Sequence, residues 1–179
     1  ISPPYLGEDP LGEEGDRVSP GLIHRYKDRA LLISTSNCAV YCRHCTRKRL
    51  AQKAEVVLSE ADLESAVQYL TAHPEIKELL LSGGDPGTLS TSSIERILRA
   101  LRKVSSLEVI RFCTRTPVTL PMRFDDELLQ LLRRYQPLWV VTHFNHPREL
   151  TELSRETLNR LADAGVPVAN QTVLLRSVN

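Results

Sequence analysis

From Ala30 onward the apolar residues fall into two alternating patterns. Short continuous apolar runs recur, and between them apolar residues return every three or four positions. Ala30-Leu31-Leu32-Ile33-Ser34-Thr35 is the first run and suits a strand buried on both faces. Ser59 then offers an N-cap with Asp62 three residues on. Leu63, Ala66, Val67 and Leu70 follow at helical spacing until His73-Pro74 ends the helix. The unit repeats. Glu78 to Leu81 predicts a strand, and Ile94, Ile97, Leu98 and Leu101 a helix. Leu107 to Phe112 predicts a strand, and Leu128, Leu129, Leu131, Leu132 and Tyr135 a helix. Leu138 to Val141 predicts a fourth strand. Leu153, Thr157, Leu158 and Leu161 mark a helix that closes at Ala164-Gly165, and Val166 to Leu175 reads as a fifth strand. Residues 1–29 are rich in Pro, Gly and acid without a sustained period. They read as an irregular arm laid over a body that runs from residue 30 to 179.

Strands that alternate with helices, joined by connections long enough for parallel crossovers, make the fold class α/β. A doubly wound sheet and part of a (β/α) barrel both fit that order. The polar residues favour the barrel. They gather after successive strands: Cys38 to Arg47, Ser82 to Asp85, Thr114-Arg115, and His143 to His146, with Asn170-Gln171 inside the fifth. Functional groups after every strand are what the C-terminal face of a barrel presents, whereas a doubly wound sheet collects them at one switch point. The expectation is a partial barrel of about five parallel strands with crossover helices.

Composition narrows the function more than the fold. Lys plus Arg number 23 and Asp plus Glu 22 in 179 residues, so no net charge points to nucleic acid or an anionic membrane. No apolar run reaches the roughly 20 residues that span a bilayer, and the first residues lack the basic start and apolar stretch of a signal peptide. The chain does not open on Met, and Asn179 follows an apolar run with no terminal element, so a longer parent protein is expected. Three of the four cysteines fall within eight residues, which suits metal ligation in a reducing cytosol rather than a disulfide framework.

The cysteine spacing is C-x3-C-x2-C, through Cys38, Cys42 and Cys45. Three thiolates so close can hold three corners of a 4Fe–4S cluster and leave the fourth iron open. A fourth thiolate would close the cluster and suit it to electron transfer, whereas an open iron can bind a cofactor directly. A zinc site completed by His44 or a distant ligand is the competing reading, although structural zinc usually pairs one C-x2-C with another. Inert buried thiols are a third. Cys113, far off beside Phe112, is expected to pack in the core. Ser82-Gly83-Gly84-Asp85 follows a strand, where paired glycines let backbone approach a ligand and Asp85 can accept from an ammonium; read alone, it is also an ordinary turn. Arg47 carries a guanidinium fork suited to a carboxylate, and Lys48 and Arg49 read as a solvated basic stretch.

These segments resemble the radical S-adenosylmethionine superfamily and, within it, the lysine 2,3-aminomutase family. The resemblance rests on Leu22 to Tyr26, Cys38 to Arg49, Leu81 to Asp85, Thr114 to Pro117, Thr142 to Pro147 and Asn170 to Arg176, in that order along the chain. It runs from about Asp9 onward. It implies a 4Fe–4S cluster on Cys38, Cys42 and Cys45, and S-adenosylmethionine held by His44, Ser82, Gly83, Gly84, Asp85, His143 and Gln171. It implies the substrate carboxylate on Arg47, and pyridoxal phosphate near Arg25, Tyr26, Arg29 and Arg115. The implied reaction begins with reductive cleavage of S-adenosylmethionine at the open iron. The resulting 5′-deoxyadenosyl radical takes hydrogen from the β-carbon of an amino acid, and the amino group moves from the α- to the β-carbon. Lysine is the implied substrate, and the Thr46-Arg47-Lys48-Arg49 stretch looks closer to the free-lysine branch. A glutamate enzyme, or one making β-lysine for elongation factor P, stays open, as does a non-catalytic iron–sulfur or zinc module. An electron donor such as flavodoxin or ferredoxin, a cytoplasmic setting and a homo-oligomer at full length go with the resemblance. The family's pyridoxal phosphate lysine has no counterpart here, since no lysine follows Lys103. The chain therefore reads as an N-terminal and central part, truncated at its C-terminus and inactive alone.

Overall fold

A computed structural model describes residues 9–51, 56–177 and 179. It contains one sheet whose strands lie side by side in chain order. Strands β1 (Arg17–Ser19) and β2 (Leu22–Tyr26) pair antiparallel with each other and onto β3 (Arg29–Thr35). Strands β4 (Glu78–Gly83), β5 (Val109–Cys113), β6 (Leu138–Thr142) and β7 (Val168–Asn170) then follow β3 in parallel register. The α/β architecture and its five parallel strands match the sequence pattern, and the sheet is a partial barrel.

The long helices are α2 (Glu60–Ala72), α3 (Thr91–Leu101), α5 (Asp126–Arg134) and α6 (Glu152–Asp163). Single turns form α1 (Lys48–Ala51) and α4 (Thr116–Thr119). Each long helix starts on a side-chain cap. Ser59 accepts from the Asp62 amide, Ser90 from Ser93, Asp125 from Leu128 and Thr151 from Ser154. Each such bond satisfies an amide that a helix start would otherwise leave without a partner. Gly165, at φ 71°, stops α6 in the left-handed conformation that glycine tolerates best.

The helices cover one face of the sheet only. Ala30 and Leu32, Leu79 and Leu81, Ile110 and Phe112, and Leu138 and Val140 point to the helices and are buried. The alternate residues Leu31, Ile33, Leu80, Val109, Arg111 and Trp139 face the other way and stay partly accessible, Trp139 the most at 44%. That second face is the inside of the partial barrel. Arg111 pairs there with Glu78, which lies 3.9 Å from Arg29. Cys113 lies on this open face rather than packed in the core as expected. It is half-buried and its thiol donates weakly to the Arg111 carbonyl at 3.6 Å.

Two expectations are corrected. The arm over 1–29 is not irregular throughout, because residues 17–26 form β1 and β2. Their pairing was hidden because Leu22 and Ile23 are the only buried residues in them, too few to set a period. The turn between them is Pro20-Gly21, with Gly21 at φ 77°. The fifth strand spans three residues rather than Val166 to Leu175. Beyond Gln171 side chains take over the bonding from the ladder. Val173 donates to Asn145 Oδ1, and Thr172 Oγ1 donates to the Phe144 carbonyl. Residues 1–8 of the arm lie outside the described residues.

Candidate functional site

The segments after β3, β4, β5 and β6 meet at the C-terminal ends of the strands, where the cysteine loop lies. Hydrogen bonds between backbones fix the first two together. Gly84 donates to the Thr35 carbonyl and Asp85 to that of Asn37, each at 2.6 Å. The glycines are needed for this closeness. A Cβ on Gly84 would lie 2.2 Å from the Asn37 oxygen, and one on Gly83, at φ 121°, would lie 2.5 Å from the Thr35 oxygen. The close approach that the sequence suggested at Gly83-Gly84 is thus made to the protein's own chain, one residue ahead of Cys38.

Asp85 ties a third segment in. It is 6% exposed. Its Oδ1 accepts from the Gly87 amide at 2.9 Å and from the Thr114 hydroxyl, and its Oδ2 from the Arg115 amide at 2.8 Å. Burial pushes its pKa up, and these bonds pull it partly back. The carboxylate that the sequence offered for an ammonium therefore serves first as a strut between the loops after β4 and β5.

The three cysteines are half-buried and reduced. Arg115 Nη1 donates to Cys42 Sγ at 3.1 Å, and the Arg47 amide to Cys45 Sγ at 3.3 Å. Such donors suit sulfur that carries thiolate charge. Cys38 has its pKa pushed up to about 12, by burial first, then by Asp85, Cys45 and Cys42. Three thiols in one loop, two of them already accepting from N–H donors, are a donor set that fits three corners of an iron–sulfur cluster.

His44 and His143, far apart in sequence, come within electrostatic range of each other. His143 is half-buried and its Nδ1 lacks a partner among the described residues. Its pKa is lowered by burial first, then by His44 and Arg115. A buried ring nitrogen left without a partner fits a site that takes a polar ligand. The Gln171 amide donates to the Thr142 carbonyl at 2.8 Å, which sets Gln171 just past β7 beside His143, with its side chain exposed.

The other arginines divide into two groups. Arg115 also donates to the His143 carbonyl at 3.3 Å and pairs with Glu149 at 2.7 Å. Arg25, Tyr26 and Arg29 sit at the opposite end of β3, about 20 Å of strand away from the cysteine loop. There Arg25 donates to the Leu11 carbonyl and lies 3.7 Å from Asp16, and Arg29 lies over the Tyr26 ring at 5.4 Å. The structure gathers Arg25, Tyr26 and Arg29 but does not bring Arg115 to them.

Two carboxylates at the site escaped the sequence reading. Glu149 accepts from Arg115 and, at 2.8 Å, from the Asn145 amide. Glu13, 5% exposed, takes Arg47 through Nε at 2.9 Å and Nη2 at 2.5 Å. Arg49 is not solvated as expected. Its side chain is 9% exposed, with Asp9 at 3.1 Å, Glu14 at 3.4 Å and Glu13 at 3.5 Å. Lys48 is exposed, as expected.

Comparison with known proteins fits this geometry. The family model of the Radical SAM superfamily matches residues 32–179. The chain is 46% identical over 172 residues to the L-lysine 2,3-aminomutase of Acetoanaerobium sticklandii, covering 96% of this chain and 42% of that protein. It is 47% identical to the L-lysine 2,3-aminomutase of Clostridium subterminale, over 96% of this chain and 41% of that one. Against the glutamate 2,3-aminomutase of Clostridioides difficile identity is 40%, over 96% and 40%. The chain spans less than half the length of these curated relatives. Among the described residues no helix is long and apolar enough to cross a membrane.

Proposed function

Because the chain belongs to the Radical SAM superfamily, whose members use an iron–sulfur cluster and S-adenosylmethionine, we propose that it is the cluster-bearing part of an aminomutase that converts L-lysine to L-β-lysine. The observation that carries this is the meeting of the cysteine loop, the Ser82 to Asp85 loop and the His44–His143 pair at one end of the sheet. Lysine is favoured over glutamate because the relatives named for lysine are 42–49% identical and a relative named for glutamate is 40% identical.

Cys38, Cys42 and Cys45 would hold the cluster. His44, Ser82, Gly83, Gly84, His143 and Gln171 would line the S-adenosylmethionine pocket, and Asp85 would hold its loop in shape. Arg47 would take the substrate carboxylate. Arg25, Tyr26 and Arg29 together offer two guanidiniums and a phenol, a set suited to a phosphate. Arg25, Tyr26 and Arg29 would take the phosphate end of pyridoxal phosphate, and Arg115 would act at the cluster end. When bound, these cofactors supply radical initiation and a carrier for the migrating nitrogen. The protein's share is orientation and exclusion of water. An electron donor of the flavodoxin or ferredoxin kind is part of the reading.

The test uses the protein that contains this chain, reconstituted anaerobically with iron and sulfide. The expected result is a reduced cluster whose paramagnetic resonance shifts on adding S-adenosylmethionine, and β-lysine formed from lysine in preference to β-glutamate from glutamate. One zinc per chain and no iron would sink the reading.

A further inference from the structure

We propose that Glu13 is a positioning residue for substrate: it anchors the Arg47 guanidinium by one edge so that the other edge stays available as a ready carboxylate fork. This rests on the reading of Arg47 as the substrate carboxylate ligand.

The geometry of guanidinium makes the case. The group has five N–H bonds in a plane, and they form two edges that can each take a carboxylate with paired bonds. One edge is Nε with Nη2, and the other is Nη1 with Nη2. Glu13 occupies the first: Nε donates to Oε2 at 2.9 Å and to Oε1 at 3.1 Å, and Nη2 donates to Oε1 at 2.5 Å. Nη1 donates to nothing among the described residues. The second edge is therefore intact for a bidentate ligand while the first fixes the plane of the group.

Three further observations locate and balance that edge. The Arg47 amide is bonded to Cys45 Sγ, so the residue is held to the cysteine loop at its backbone as well. The Arg47 charge also acts on the Cys113 thiol, which lies on the open face of the sheet at the end of β5. Arg47 is thus held at the cysteine loop, near enough to the open face for its charge to be felt at Cys113. Glu13 is itself shared with Arg49, 3.5 Å away, which offsets its negative charge. What Glu13 contributes is orientation, with little net repulsion of an incoming carboxylate.

Glu13 lies in the short 3-10 turn before β1, outside the superfamily match at 32–179. The turn is bound from both sides, since Arg49 also reaches Asp9 and Glu14. This segment, rather than the barrel, then sets how firmly Arg47 is aimed.

The holoenzyme that contains this chain supplies the test. Glu13→Gln, Arg47→Ala and the double variant are compared for kcat, KM, iron content and the resonance shift with S-adenosylmethionine. The expected result for Glu13→Gln is a KM for the amino acid raised about tenfold, since the arginine regains rotamer freedom it must lose on binding. Its kcat stays within about twofold, and iron content and the resonance shift are unchanged. Arg47→Ala raises KM further, and the double variant is no worse than Arg47→Ala alone, because the two residues act as one unit. An unchanged KM in Glu13→Gln beside a raised KM in Arg47→Ala overturns this inference and leaves the Arg47 reading standing. An unchanged KM in Arg47→Ala overturns the Arg47 reading itself. If Glu13→Gln loses iron, Glu13→Asp decides. Its shorter carboxylate keeps the charge and withdraws the anchor, so a raised KM with full iron supports the inference and a native KM refutes it. Loss of iron from both variants also refutes it, by making Glu13 a scaffold residue.

Discussion

Gly84→Ala should empty the cluster site without touching a cysteine. The added methyl would lie 2.2 Å from the Asn37 carbonyl oxygen, 2.6 Å from the Ser36 carbonyl carbon and 2.7 Å from that of Asn37. All three are backbone atoms, so no side chain can swing aside. Ordinary contact begins near 3.4 Å, and the strand end must therefore retreat by about 1 Å in a close-packed region. That retreat breaks the hydrogen bonds from Gly84 to Thr35 and from Asp85 to Asn37. Their loss costs about 1 kcal/mol each, and overpacking adds about 1–3 kcal/mol. The total is about 3–5 kcal/mol, a large share of the roughly 5–15 kcal/mol that holds a domain together. At about 2–4 °C per kcal/mol, Tm falls by roughly 6–20 °C. The displaced backbone leads straight into Cys38, so iron content after anaerobic reconstitution falls with it. Gly15→Ala is the control, since nothing lies within 4 Å of its Cβ position. A Gly84→Ala protein with full iron and native Tm would refute the reasoning.

Ser59→Ala removes the cap on α2, where the side chain accepts from the Asp62 amide at 3.1 Å. It should cost about 1 kcal/mol, read as a lower denaturant midpoint at unchanged slope, with the cluster intact. His143 should titrate in NMR below the ordinary histidine value of 6.5, since burial, His44 and Arg115 all oppose its charge. The sign for stability follows: the unfolded chain binds this proton more readily, so as pH falls through about 6.5 the histidine's share of stability is lost. His143→Gln should flatten that part of the stability curve, and an unaltered curve would count against the assignment.

The sequence pattern was most informative where burial has a period. Ile94, Ile97, Leu98 and Leu101 are all fully buried on α3, and the cap expected at Ser59 stands where the first turn of α2 leaves amides without partners. The strand cores at Leu79, Leu81, Phe112 and Val140 were legible for the same reason. Ion pairs across the fold were not. Glu13 meets Arg47 across 34 residues, and Glu149 meets Arg115 across the same separation. No local period announces such a meeting, because it depends on which strand ends the topology brings together. Arg49 was misread on those grounds, as a charge in a basic run whose partners lie in the arm. Cys113 was misread by one step of strand alternation: Phe112 faces the helices, and its neighbour must face away.

Arg115 holds three things at once: the Cys42 thiol, the backbone of His143 and the carboxylate of Glu149. An engineer who wished to alter the surroundings of Cys42 and those of His143 as independent dials would find them on one spindle here. Replacing Arg115 alone also strands the negative charge of Glu149, so useful changes will come as compensated pairs. Directed evolution that samples single substitutions would pass this position by, whereas libraries that vary Arg115 and Glu149 together could cross it.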